Sequence, residues 1–160
     1  MKIGVLTLPL HTNFGGILQA YALQTYLKKE GHDVVLFQKE RYKKFSMLVR
    51  IKHGIHQVIT GINKRTKPEY IDIQSFVKKK ENEYKQCSQY TQPFINKYIS
   101  WIKLESLSDI DCNSFEAIVV GSDQVWRELY FTGMWETSIS NAFLHFTKGW
   151  SIKRISYAPS

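Results

Sequence analysis

The stretch that most limits the fold runs from Ile3 to Lys29. An apolar run, Ile3 to Leu8, is short enough for a buried strand. Ile17 to Lys29 has no internal Gly or Pro and reads as a helix. Between them lies a turn with Pro9, Asn13, Gly15 and Gly16. Strand, Gly-rich turn and helix begin a βαβ unit, which requires a parallel strand to follow. His32 to Gln38 supplies it, with Val34-Val35-Leu36-Phe37 at its centre and Gly31 as the helix C-cap. The turn then lies at the carboxyl end of the first strand, where open parallel sheets place their ligands.

The physics of that turn suits an anion. A helix starting near Gly15 or Gly16 presents unpaired N–H groups and a positive dipole end. Glycines let a ligand approach the backbone. Asn13 either caps the helix or turns its amide to a ligand. A tight strand-to-helix connection with no ligand fits the same residues. The spacing is neither the G-x-G-x-x-G of dinucleotide folds nor a P-loop with its terminal Gly-Lys-Ser/Thr, so NAD and ATP are not indicated.

A second organised site follows another apolar run. Phe115 to Val120 reads as a buried strand, and Gly121-Ser122-Asp123-Gln124-Val125-Trp126 follows directly. This polar cluster falls on the same rim as the first turn. Its plainer reading is a helix cap by Ser122 or Asp123, with Trp126 in the core. Elsewhere, helix is expected from about Tyr70 to Gln86, a loop over Ser88–Pro93, and a short apolar segment over Phe94–Trp101. An aromatic, irregular stretch is expected from Arg127 to Thr147, and a last strand over Lys153–Tyr157.

Charge is concentrated in one place. Residues 39–67 hold nine Lys or Arg and one acid, Glu40, a net of +8; the rest of the chain has 13 of each sign. Within this segment, which extends to Pro68, Met47, Leu48, Ile51, Ile55, Val58, Ile59 and Ile62 fall three and four apart, a helical stripe. An ordinary surface helix with a solvated basic face fits, and so does peripheral contact with an anionic membrane surface. Few aromatics and no reader motif argue against nucleic acid. No apolar run reaches the roughly 20 residues of a membrane span, and no cleavable leader pattern opens the chain, so a cytoplasmic location is expected. Cys87 and Cys112 are far apart and outside any C-x-x-C, so reduced thiols are expected, with no metal site.

Taken together, these motifs resemble the N-terminal half of the polysaccharide pyruvyl transferase family. The matching pieces are Leu6 to Pro9 with His11 to Gln24, then Gly121 to Trp126, then Asn141 to Leu144 followed by Lys153 to Ala158. The resemblance implies an α/β, Rossmann-like three-layer domain with a mainly parallel sheet, resembling one half of a GT-B-like glycosyltransferase fold. Residues 1–160 would form this single acceptor-side domain, with 39–68 as a basic amphipathic insert. The implied activity is transfer of a pyruvyl group from phosphoenolpyruvate to sugar hydroxyls of an exopolysaccharide or cell-wall glycan, the acceptor being a sugar or a lipid-linked oligosaccharide. A second domain or partner chain, expected beyond these residues, would hold the donor. Within this half, Asp123 is the expected catalytic group. His11, Asn13, Gly15, Gly16, Gln19, Ser122, Gln124 and Trp126 are the expected substrate contacts, with packing in the core open for Trp126. A non-catalytic domain that binds sugar or lipid-linked sugar is the alternative.

The basic segment yields one direct test. Contact with an anionic surface predicts that the chain sediments with vesicles containing anionic lipid and not with neutral ones. Equal binding to both, or binding to neither, would exclude it.

Overall fold

A computed structural model describes residues 1–39 and 73–158. The chain divides into two units, one of Met1–Arg41 with Ser88–Ser160 and one of Tyr42–Cys87. The basic stripe expected over 39–68 lies, from residue 40 onward, outside the described residues.

The first unit is built on a five-stranded sheet. Its strands are β1 (Lys2–Leu6), β2 (Asp33–Gln38), β3 (Trp101–Lys103), β4 (Ala117–Val120) and β5 (Lys153–Ser156). Their order is β3-β2-β1-β4-β5, and all four pairings are parallel. Ile3 lies opposite Val34 on one side and Ala117 on the other. This is an α/β fold with a parallel sheet, as the sequence suggests. The outer strands are the weakest. β3 has three residues, only Ile102 of them partly covered, and all four residues of β5 are exposed.

The central strands are apolar between their ends because both faces of the sheet are covered. Strand alternation sorts them into two cores. Ile3, Val5, Val34, Leu36, Ala117 and Val119 pack with Ile17 and Ala20 of α1 (Phe14–Lys29) and with Ile95 and Ile99. Leu6, Phe37, Ile118 and Val120 pack on the other face, with Val125, with Phe131 and Trp135 of α3 (Glu128–Trp135), and with Ala142 and Leu144.

α1 begins where the sequence places it. The side chain of Asn13 accepts from the Gly16 N–H at 3.3 Å. The helix ends before Gly31, whose φ of 83° suits a residue without Cβ. One buried polar side chain ties α1 to the sheet. Gln24, 1% exposed, donates Nε2 to the carbonyls of Val34 (3.3 Å) and Ser100 (2.8 Å) and accepts from the Ser100 N–H (2.8 Å). Every hydrogen bond that a buried amide requires is thereby made.

Two expectations need correction. Ser88–Pro93 is not a loop. It lies inside α2 (Ile73–Tyr98), which carries Pro93 within it. Pro93 offers no N–H to the Gln89 carbonyl one turn before it, but Thr91 and Ile95 are buried and Gln92 bonds Asn96 one turn on (3.0 Å). Packing of that face outweighs the lost bond. Arg127–Thr147 is not irregular throughout. It contains α3 and two short 3-10 turns, Ile139–Phe143 and His145–Thr147. The residues before β4 form a side-chain-bonded turn. Asp111 accepts from the Asn113 N–H (3.1 Å) and the Ser114 hydroxyl (2.9 Å), which hold its carboxyl below the usual aspartate range. Cys87 and Cys112 are both exposed free thiols. Among the described residues no helix is long and apolar enough to cross a membrane.

Replacing Gln24 by Leu keeps a side chain of similar size and removes three hydrogen bonds, stranding the Ser100 N–H while the Ser100 carbonyl keeps the Leu36 N–H. Chemical denaturation should show a loss of about 2–4 kcal/mol. An unchanged midpoint would mean that the clamp carries no stability.

Candidate functional site

The strand order reverses between β1 and β4, since the chain builds outward from β1 to β2 and β3 and then returns to β1's other side. A crevice at the carboxyl ends of two such strands is where parallel sheets bind ligands. Here it is a cleft of about 280 Å³.

One wall is the exit of β1. After Leu6 the chain runs through Thr7 to His11 before α1 begins, and three other elements fix its path. The Trp135 indole on α3 donates to the Thr7 carbonyl (3.0 Å). The Leu10 N–H donates to Gln38 Oε1 at the end of β2 (2.9 Å). The Thr91 hydroxyl on α2 donates to the His11 carbonyl (2.7 Å). His11 is consequently 8% exposed.

The other wall is the exit of β4. The Gly121 N–H bonds the Leu6 carbonyl (3.2 Å), so the two exits are joined at their base. Beyond Ser122 the chain makes a 3-10 turn, Asp123–Trp126, anchored by the fully buried Val125. At the base of this wall β5 also closes in. The Tyr157 N–H bonds the Val120 carbonyl (2.7 Å).

This arrangement gathers residues from two motifs about a hundred positions apart. His11, Asn13, Gly15, Gly16 and Gln19 line the cleft from the β1–α1 side, and Ser122 and Gln124 line it from the β4 side. Seven of the expected contacts thus share one surface. Trp126 is not among the lining residues. It is partly buried against the core, its ring 5.2 Å from that of Phe143, and its Nε1 is buried without a partner. Asp123 opens the 3-10 turn beside Ser122.

Sequence reasoning passes over Thr7 and Met134, which also line the cleft. Thr7 sits in the first motif but reads as the tail of an apolar strand, whereas β1 ends at Leu6. Met134 comes from α3, in a stretch that shows no regular period. Lys39 belongs by composition to the basic segment. It is instead 8% exposed, and Nζ donates to the Trp135 carbonyl and Glu136 Oε2, both at 2.8 Å. Its charge thus closes the carboxyl end of α3, where a cation is favourable.

The described side chains lining the cleft are neutral hydroxyls, amides, His11 and apolar groups. Such a surface offers many donors and acceptors and little fixed charge. It is suited to a polyhydroxylated or oxyanionic ligand held by hydrogen-bond geometry. Among the described residues no group of His, Cys, Asp or Glu is arranged to hold a metal ion.

No protein-family model, curated protein or solved structure was found to match the chain.

The junction of the two walls is testable at Gly121. A Cβ there would meet the Tyr157 carbonyl oxygen at 2.5 Å and the Tyr157 ring at 2.8 Å. Gly121→Ala should cost about 1–3 kcal/mol and lower the thermal midpoint by roughly 3–10 °C in a chain of this size. An unchanged midpoint would show that Tyr157 does not close on the β4 exit.

Proposed function

We propose that this chain is the acceptor-side domain of a polysaccharide pyruvyl transferase-like protein, with its sugar in the cleft between the β1 and β4 exits. The observation that carries the reading is the meeting of two motifs, Leu6–Gln24 and Gly121–Trp126, on one cleft. The strand order is also that of the inner strands of a doubly wound, Rossmann-like sheet. One half of a GT-B-like enzyme would have this form.

In this reading two hydroxyls of a sugar add to C2 of phosphoenolpyruvate. The methylene carbon takes up one hydroxyl proton and becomes a methyl group. Phosphate leaves with the other, and the product is a cyclic pyruvate ketal. The chemistry requires a base at the sugar hydroxyl, an acid at the methylene and positive charge around the phosphate. Asp123 is the base at the hydroxyl. Asn13, Gln19 and Gln124 hold the sugar's other hydroxyls through their amides, and His11 is a polar contact at the back of the cleft. The donor is held by a second domain or a partner chain, and the reaction takes place in the cytoplasm. A contact of residues 39–67 with anionic lipid would bring the domain to lipid-linked acceptors.

A purely sugar-binding role is the second reading, favoured by the neutral character of the described lining side chains. Calorimetric titration with a glycan panel would register heat in either case, and turnover separates the two.

The test is phosphate release from phosphoenolpyruvate in the presence of acceptor glycans, with the natural full-length protein. Asp123→Ala should lower the rate by at least about a hundredfold and leave the thermal midpoint unchanged. Equal turnover would remove Asp123 from the mechanism. No release with any acceptor would leave the binding role.

A further inference from the structure

We propose that the α1 end of this cleft is an oxyanion site that receives a phosphate group. The inference rests on the cleft being the binding site and not on pyruvyl transfer. α1 has 16 residues, enough to present a positive dipole end at its first turn. Of its early amides, Gly16 donates to Asn13 Oδ1 and Ile17 to the Asn13 carbonyl. The Gly15 N–H has no partner among the described residues, and Gly15 lines the cleft.

A helix end by itself would be left to water. Two hydroxyls make the difference. Thr7 is 6% exposed and Ser122 9%, and both line the cleft. The Thr7 carbonyl accepts from Trp135, but its hydroxyl has no partner among the described residues. The Ser122 hydroxyl does not cap the 3-10 turn that follows it. Neither hydroxyl is among the fully buried polar atoms without a partner, so each opens to the cleft, where a ligand oxygen can take the place of water.

The three groups come from three elements, the exits of β1 and β4 and the first turn of α1. They also share a chemical bias. An amide only donates, and a hydroxyl rotates to donate. A ligand that satisfies all three must offer several acceptor oxygens close together. A sugar hydroxyl is too small an acceptor for three donors. A phosphate offers three or four oxygens in a tetrahedron, and the helix dipole favours its charge. With no Lys or Arg among the described lining residues, free phosphate should bind with a Kd on the order of 1–10 mM. The phosphate belongs either to a phosphorylated sugar acceptor or to a donor that reaches into this cleft from the second domain or partner chain that holds it.

The experiment is a titration of the ¹⁵N-labelled full chain with inorganic phosphate, read at the Gly15 amide. A saturable shift is expected. In Thr7→Val/Ser122→Ala the Kd should rise at least about tenfold, and the thermal midpoint should not fall, because neither hydroxyl has a bond to lose. If Thr7→Val unfolds the chain, Ser122→Ala alone gives the same reading. A Gly15 amide that does not move, or moves equally in the variant, overturns the proposal. Phosphoenolpyruvate and glucose 1-phosphate form the further arms. Tighter binding of the first assigns the phosphate to the donor, and of the second to the acceptor. A Gly15 shift without phosphate release from phosphoenolpyruvate keeps the oxyanion site and removes pyruvyl transfer; release without the shift does the reverse.

Discussion

The cleft depends on one hydrogen bond more than on any other, that from the Trp135 indole to the Thr7 carbonyl. Thr7 is the first residue beyond β1, where the ladder to β2 and β4 has ended. An unpaired carbonyl there would pull the chain toward solvent. Trp135, 2% exposed and packed in the same core as Leu6 and Phe131, holds it back. The bond therefore couples the first strand to the last turn of α3, 128 positions away. It also places Met134, the residue before Trp135 on α3, on the cleft. Lys39 bonds the Trp135 carbonyl, so the same residue anchors the end of β2 as well.

What is legible in the sequence is local. Asn13, Gly15 and Gly16 after an apolar run mark a strand-to-helix turn, because each solves a backbone problem at that position. Gly121 to Gln124 stands out for the same reason, a dense polar group directly after four buried residues. Two parallel strands in a doubly covered sheet leave their exits on one rim, so convergence of the two motifs follows from strand type alone. The sheet centre is legible too, since Val34–Phe37 and Ala117–Val120 are continuous apolar runs.

What is not legible is held by contacts distant in sequence. α2 passes through Pro93 because Thr91 and Ile95 are buried against other elements, and no local propensity carries that information. β3 has three residues at a sheet edge, too short for a period to register. Sequence leaves Trp126 open between stacking on a sugar and packing in the core, and its neighbours in space, Phe143 among them, decide its place. Lys39 belongs by composition to a basic run and by structure to the end of α3. Pairs separated by about a hundred positions leave no periodic trace.

The same long-range contacts account for the chemistry of the cleft. Lys39 is a buried cation next to this region, and its charge is shared with Glu136 and a helix end instead of facing a ligand. Charge directed into the cleft would bind any anion strongly and at long range. With it neutralised, recognition in the proposed reading falls, among the described residues, to groups that act only at contact distance: the Gly15 N–H, the Thr7 and Ser122 hydroxyls and the amides of Gln19 and Gln124. Their positions derive from backbone fixed at both strand exits. Selectivity at such a site comes from geometry, because a ligand that covers a hydroxyl without bonding it displaces water from that group and gives nothing in return. The clamp on Thr7 and the junction at Gly121 thus serve the fold and also set how finely the cleft can discriminate.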